Sequence, residues 1–154
     1  MNSVHESGVV VAPETDRASS VRSIPRPRGL IGVGLVAALV AVPVTTLAAA
    51  LAQAVGVDFE VPDGGEAIPL SGFAVVTGFF SVVGIVIAVV LLRWSARPAV
   101  RFVWVTVGLT AISLVPPLLA GADAATTIAL IGLHVLPATV MIPTLARCLR
   151  SRTP

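Results

Sequence analysis

Four long stretches without any charged residue constrain this chain more than any other feature of its sequence. No Asp, Glu or Arg occurs in residues 29–57, 67–92, 102–122 or 124–146. A helix needs about 20 apolar residues to cross a hydrocarbon core roughly 30 Å thick, and every stretch reaches that length. In lipid, a single segment satisfies its backbone polar groups only as a helix. The sequence therefore predicts an all-α fold, a four-helix transmembrane bundle.

The composition excludes most classes of soluble protein. Hydrophobic residues make up 56% of the 154 residues and charged residues only 12%, whereas a soluble domain carries about 25% charged residues. The formal net charge of +2 gives no basic surface for nucleic acid. The single cysteine, Cys148, excludes an intrachain disulfide framework. We therefore expect the lipid bilayer as a partner of the chain, and no nucleic acid.

The chain is predicted to consist of one membrane domain between two tails. Residues 1–28 mix Ser, Pro, Glu and Arg without periodicity, which indicates a disordered, basic cytoplasmic tail. Residues 29–148 form the four-helix membrane domain, and residues 149–154 form a short second cytoplasmic tail. The predicted helices span about 29–53, 70–92, 102–120 and 124–146.

The arginines predict the orientation of the helices. One group precedes the first helix, a second joins the second and third helices, and a third follows the fourth helix. The other two connections contain acidic residues and no arginine. Since short loops rich in arginine stay in the cytoplasm, we expect an up-down-up-down bundle in the bacterial cytoplasmic membrane with both termini inside. The arginines that determine this topology are Arg26, Arg28, Arg93, Arg97, Arg101, Arg147 and Arg150.

The first helix has an alternative interpretation as a cleaved signal peptide. Ala52-Gln53-Ala54 resembles the small-x-small motif of a cleavage site, and removal after Ala54 would leave three helices. A signal peptide has an apolar region of about 7–15 residues, whereas the stretch from Gly29 to Leu51 is much longer. We therefore expect the first helix to be retained.

Small residues recur on the first two helices at spacings of four and three residues. They are Gly34, Ala38, Ala41, Thr45, Ala48 and Ala52 on the first helix, and Ala74, Thr77, Ser81, Gly84 and Ala88 on the second. Lipid is as apolar as leucine, so close backbone approach through small residues is expected to hold the helices together.

His134 is the one ionisable residue inside a predicted membrane helix. About ten residues separate it from the outer end of its helix, which at 1.5 Å per residue places it ~15 Å deep, near the midplane. Ser113, Thr45 and Ser81 fall at a similar depth, and the four residues form a candidate intramembrane polar site. A neutral imidazole needs one donor and one acceptor, and we expect Ser113 to be the first partner, before Thr45 or Ser81.

Two interpretations of His134 follow from its position. An ionisable group within the membrane is by default a proton relay or a substrate contact. The alternative is a structural polar clasp between helices, worth about 1 kcal/mol. Proton-coupled carriers usually have an intramembrane carboxylate, and the four predicted helices contain none. This difference favours the clasp.

Four prolines are candidate kink residues, because each removes a helical hydrogen bond. They are Pro43, Pro116, Pro137 and Pro143. Each is either a hinge or ligand niche with a freed backbone carbonyl, or an ordinary proline of the kind that membrane helices tolerate. The tolerance of proline in membrane helices favours the second interpretation.

The sequence offers no motif of an enzyme or a metal site. It has no glycine-rich phosphate loop, no paired carboxylates inside a helix and no Ser-His-Asp set at one depth. The four carboxylates between residues 58 and 66 lack the ligand spacing of a calcium loop and favour a solvated acidic loop. We therefore predict no catalytic, cofactor-binding or metal-binding residue and no bound cofactor.

The third and fourth helices resemble an uncharacterised family of small four-helix bacterial integral membrane proteins, the domain-of-unknown-function family 6069. The residues that carry the resemblance are Ser113-Leu114, Pro116, His134, Ala138, Ile142-Pro143, Leu145 and Arg147. The basic entry to the first helix and the acidic outer loop are similar too, and the resemblance covers nearly the whole chain after Arg26. It implies a four-helix membrane domain without an established activity, and it singles out Ser113, Pro116, His134 and Pro143 for testing.

The sequence leaves three functional interpretations open. The first is a non-enzymatic structural or interaction component, which would bind a second copy of the chain or another membrane protein through its helices. The second is a small transporter or channel subunit with a midplane polar site around His134. The third and least favoured is a membrane redox accessory.

Overall fold

The computed structural model describes residues 27–60 and 67–152, and these residues form five helices. The helices are α1 (Arg28–Ala54), α2 (Leu70–Trp94), α3 (Pro98–Ser113), α4 (Val115–Leu119) and α5 (Ala124–Arg150). α3 and α4 together make one apolar span, so the described part of the chain has four spans long and apolar enough to cross a membrane. The predicted all-α class and the number of spans are thus confirmed. The predicted disordered tail, up to and including Arg26, lies outside the described residues.

The helices run past the charge-free stretches at the ends that carry arginine. α1 starts at Arg28, α3 starts at Pro98 rather than near residue 102, and α5 continues to Arg150 rather than ending near residue 146. The absence of charge marks the part of a helix that lipid accepts, whereas the helical hydrogen bonds continue into the polar interface. Residues 28, 149 and 150, which were expected in the tails, are therefore helical.

The third span is interrupted where Pro116 and Pro117 occur. Leu114 alone separates α3 from α4, and its N–H donates to the carbonyl of Ala111 at 3.3 Å, a tighter turn than that of an α-helix. Neither proline has an N–H with which to continue the helical hydrogen bonds. The interruption predicted at Pro116 is therefore a break between two helices. The other predicted kink residues lie within continuous helices: Pro43, Pro137 and Pro143.

The described helices have an apolar exterior and several polar residues inside. Large apolar side chains such as Leu39, Val75 and Ile112 are about two-thirds exposed or more. The buried polar residues among those described are Thr45, Thr77, Ser81, Thr106 and Thr126. Water would disfavour so large an exposed apolar surface, whereas lipid tails are as apolar as leucine itself. The fold is that of a multi-pass membrane protein.

Two core clusters lie at the two ends of the bundle. α1 packs against α2 and α5, and α3 packs against the same two helices. The first core cluster joins the beginnings of α1 and α3 to the ends of α2 and α5, through residues such as Leu30, Phe102, Leu92 and Leu149. The second core cluster joins the end of α1 to the beginnings of α2 and α5 around Phe59. Bulky side chains thus fill both ends, and smaller and polar residues lie between them.

Gly34 lets α1 approach its two neighbours closely. A Cβ atom at this position would lie 2.6 Å from Cγ1 of Ile85 in α2 and 3.3 Å from Cδ2 of Leu145 in α5. Ala41 and Thr45, which belong to the small-residue stripe noted in the sequence, continue the buried side of α1. Close approach through small residues is the packing mode of helices in lipid.

Asp123 caps the beginning of α5. Its carboxylate accepts hydrogen bonds from the N–H groups of Thr126 at 3.0 Å and Ala125 at 3.2 Å, which satisfies two donors that the helix itself leaves unpaired. Hydrogen bonding by the side chain and the N–H of Thr126 lowers the pKa of Asp123 from its ordinary value of 3.8. The Thr126 hydroxyl oxygen lies 3.4 Å from Oδ1 of Asp58, so this helix start contacts the loop after α1.

Candidate functional site

A cavity of about 800 Å³ lies between α2, α3, α4 and α5. This volume falls within the roughly 300–1,000 Å³ of pockets that hold small molecules. α1 contributes Thr45 alone to the wall. Phe102 and Leu145, which are buried in the first core cluster, also line the cavity and separate it from the arginine-bearing ends of the helices.

The cavity opens between α2 and α3. Val76 and Phe80 of α2, with Leu109 and Ile112 of α3, line it and are exposed on the surface of the bundle. The parts of the wall that α1 and α5 contribute consist instead of buried or half-buried side chains. Because the four exposed side chains are apolar, the opening is suited to lipid tails rather than to water.

The structure brings the four residues of the predicted polar site into this one cavity. His134 of α5, Ser113 of α3, Ser81 of α2 and Thr45 of α1 all belong to its wall. Thr45 and Ser81 are buried, whereas His134 and Ser113 are half-buried. Four different helices therefore contribute one polar side chain each to the same space.

The hydrogen bonds of these residues stay within single helices. Ser81 and Ser113 each donate to a carbonyl of their own helix at 2.7 Å, and Nδ1 of His134 lies 2.8 Å from the carbonyl oxygen of Leu130. Among the residues that the structure describes, no hydrogen bond joins His134 to Ser113, Ser81 or Thr45. The expected pairing of His134 with Ser113 is thus not formed, because a carbonyl one turn earlier in the same helix is nearer to each side chain.

The bond from His134 to its own helix leaves one ring nitrogen unpaired. A carbonyl oxygen only accepts, so Nδ1 carries the hydrogen that it donates to Leu130. In the neutral imidazole, Nε2 is then a hydrogen-bond acceptor. Within residues 27–60 and 67–152, no donor is hydrogen-bonded to Nε2. His134, which lines the cavity, therefore has an acceptor with a free lone pair.

Thr45 has the one fully buried side-chain polar atom that lacks a partner in the described part of the chain. It is 1% exposed, and its Oγ1 makes no hydrogen bond. The next residue, Thr46, donates to the carbonyl of Val42 at 2.9 Å, the bond that a threonine in a helix ordinarily makes. An unpaired hydroxyl inside a protein costs about 1–3 kcal/mol.

Three threonines outside the predicted site also line the cavity: Thr77, Thr106 and Thr110. Thr106 and Thr110 donate to carbonyls one turn earlier in α3, at 2.7 and 2.8 Å. Thr77 precedes Ser81 by four residues, and Thr110 precedes Ser113 by three, so each shares a helix face with a residue of the predicted site. That spacing is the signal by which the sequence identifies them.

Acceptors predominate among the polar groups of the wall. Pro137 has no N–H and cannot donate to the carbonyl of Leu133, its partner in a regular α-helix, and both residues line the cavity beside His134. No Asp, Glu or Arg of the described segments lines the cavity. No group of three His, Cys, Asp or Glu residues among those described is placed to hold a metal ion.

The described arginines that were predicted to determine the topology are exposed at one end of the bundle. They are Arg28, Arg93, Arg97, Arg101, Arg147 and Arg150. They lie at the beginnings of α1 and α3 and at the ends of α2 and α5, the same helix ends that form the first core cluster. Arg26 and most of the acidic loop, residues 61–66, lie outside the described residues.

The model of a family of unknown function (DUF6069) matches residues 25–151. This match includes all five helices and confirms the resemblance seen in the sequence, so the chain belongs to this family. No curated protein and no solved structure matches the chain.

Proposed function

We propose that this member of the DUF6069 family is a non-enzymatic protein of the bacterial cytoplasmic membrane that binds a small apolar molecule in the cavity beside His134. One observation carries the proposal: four helices contribute polar residues to one cavity, yet these residues bond only within single helices or not at all. A clasp requires hydrogen bonds between helices, whereas a binding site requires oriented polar groups in an apolar wall. A transporter or channel subunit with a site around His134 is therefore favoured over a purely structural component.

The orientation proposed for the protein is up-down-up-down with both termini in the cytoplasm. Six exposed arginines at one end of the bundle support it, because arginine-rich ends of membrane helices stay in the cytoplasm. The cap residue Asp123 is at the beginning of α5, away from these arginines, and we assign that end to the exterior. On this assignment the cavity opens toward the hydrocarbon core between the two ends.

A second candidate function, an interaction component, has one observation in its favour. The span Pro98–Leu119 is the least covered by the rest of the chain. Of the 18 residues in its most apolar segment, 11% are buried, against 22–28% in the corresponding segments of the other three spans. Helix surfaces with little cover are available to a second copy of the chain or to another membrane protein. Cross-linking from α3 in membranes, followed by mass determination, tests this role.

The test of ligand binding uses Gly84, which lines the cavity. A Cβ atom at this position would meet nothing within 4 Å, and the rest of the leucine side chain in Gly84→Leu would extend into the cavity that Gly84 lines. Gly132 also has nothing within 4 Å of a Cβ atom but is exposed and does not line the cavity, so Gly132→Leu is the matched control. Full-length protein in lipid nanodiscs is equilibrated with a twelve-carbon diazirine hydrocarbon, irradiated and mapped by mass spectrometry.

We expect the probe to label the cavity residues of the wild-type protein and of Gly132→Leu. Gly84→Leu should lose most of this labelling, because leucine occupies the space that the probe would take. Equal labelling of the cavity residues in all three proteins would overturn the proposed function. Unfolding midpoints of the three proteins check that the variants are folded.

A further inference from the structure

We infer that the molecule bound in the cavity is uncharged and carries a hydroxyl group, which donates a hydrogen bond to Nε2 of His134. The inference rests on the proposed function and adds the chemical class of the ligand. It follows from a property of the wall that the sequence does not reveal, namely which polar groups have already used their hydrogens. The donors and acceptors of the wall that make no hydrogen bond thus indicate the chemical class of the ligand.

Most polar side chains of the wall already donate their hydrogen to a carbonyl of their own helix. The hydroxyls of Ser81, Thr106, Thr110 and Ser113 all donate to backbone carbonyls, and Nδ1 of His134 does the same. What these groups still offer is lone pairs on oxygen and on Nε2. A ligand that complements them must bring a hydrogen-bond donor.

Two hydroxyls of the wall donate no hydrogen bond within the described chain: those of Thr45 and Thr77. The Oγ1 atom of Thr45 exposes almost no surface, so a ligand in the cavity does not reach it, whereas the hydroxyl of Thr77 can donate to a ligand oxygen. A hydroxyl group is both donor and acceptor. It can donate to Nε2 of His134 and at the same time accept from Thr77.

Charged ligands fit the wall poorly. An ammonium group would need a carboxylate nearby, and no Asp or Glu of the described segments lines the cavity. An anion would likewise need an arginine, and no described arginine lines the cavity either. An ester or ketone brings only acceptors, so it could accept from Thr77 but would leave Nε2 of His134 without a donor. A neutral alcohol avoids all three mismatches.

The opening of the cavity agrees with an alcohol that has an apolar body. Its rim consists of apolar side chains such as Phe80 of α2 and Ile112 of α3, which are exposed on the outside of the bundle. A molecule dissolved in the bilayer enters here without passing through water. Its hydrocarbon part then replaces lipid tails at the rim, and its hydroxyl reaches the polar groups around His134.

The experiment compares two photoreactive probes that differ in one hydrogen-bond donor. A twelve-carbon diazirine alcohol and its methyl ether have the same chain, but the ether has no donor. Each is equilibrated with full-length protein in nanodiscs and cross-linked, and labelling of the cavity residues is divided by labelling at Val75, which is 70% exposed on the outside of α2. This ratio corrects for the amount of each probe in the bilayer. The proteins are wild type, His134→Phe, Gly84→Leu and the control Gly132→Leu.

We expect the ratio for the alcohol to exceed that for the ether by about fivefold, the effect of one net hydrogen bond. His134→Phe should reduce the alcohol to the level of the ether, and Gly84→Leu should lower both probes. Equal ratios for alcohol and ether in the wild type, both lowered by Gly84→Leu, would overturn the hydroxyl inference and leave the proposed function intact. Ratios that Gly84→Leu does not change would overturn the proposed function as well. The wild-type comparison decides the inference even if His134→Phe fails to fold.

Discussion

Replacing Thr45 by Val should make the protein more stable, although most substitutions at buried positions destabilise. Val and Thr have nearly the same shape, and both are β-branched, so packing and helix propensity change little. The main change is the loss of a hydroxyl that is buried and has no partner among the described residues. The substitution therefore removes a cost and no hydrogen bond.

The magnitude follows from the burial of this hydroxyl. An unpaired buried hydroxyl costs about 1–3 kcal/mol, and Thr45 is 1% exposed, so almost none of that cost is relieved by solvent. The unfolded chain in a membrane also finds partners for its polar groups, which reduces the difference. We expect the free energy of unfolding to rise by about 1 kcal/mol. In the control Thr46→Val, a hydroxyl that donates at 2.9 Å is lost, and the free energy should stay constant or fall slightly.

Reversible unfolding in mixed detergent micelles, followed by circular dichroism, measures both variants against the wild type. A loss of stability in Thr45→Val as large as in Thr46→Val would refute the reasoning, because the Thr45 hydroxyl would then have a partner.

Three further predictions test packing, orientation and pH dependence. Gly34→Ala should destabilise the bundle by about 1–3 kcal/mol through overpacking, whereas Gly32→Ala, where a Cβ atom meets nothing within 4 Å, should not; chemical unfolding compares the two. In a cysteine-free background, Asp63→Cys should react with a membrane-impermeant maleimide on intact cells and Arg97→Cys should not, and the reverse would contradict the proposed orientation. Because the pKa of Asp123 is lowered in the fold, its stabilising effect is present above the ordinary value of 3.8 and is lost as the pH falls through the lowered pKa. The difference in unfolding midpoint between the wild type and Asp123→Ala should therefore shrink in acid.

The fold could be predicted from the sequence because its main determinant, the position of long charge-free stretches, is visible along the chain. Charge-free stretches set the number of spans, and lipid leaves such segments no structure other than a helix. The ends of the helices were less predictable, since Arg28 and Arg150 are helical although lipid excludes their charges. The break at Leu114 was expected as a kink, because two successive prolines remove two hydrogen bonds, but its form as two helices depends on the turn that Leu114 makes.

The membership of the candidate site was easier to anticipate than its hydrogen bonds. Depth along each helix suggested that Ser81, Ser113 and Thr45 lie near His134, and all four line the cavity. Depth says nothing about the rotation of each helix or the rotamer of each side chain. The cavity itself was not predicted, because its wall combines residues of several helices that lie far apart in the chain.

A polar side chain in a membrane helix has two ways to satisfy its hydrogen: a carbonyl of its own helix, or a group on another helix. The first needs only a suitable rotamer, and Ser81, Ser113 and His134 all use it. Thr45 has the same carbonyls within its helix and bonds to none of them. A departure of this kind persists only if the surrounding structure imposes it. The stability of Thr45→Val therefore tests whether helix packing, rather than local hydrogen bonding, decides the state of a buried hydroxyl beside the cavity.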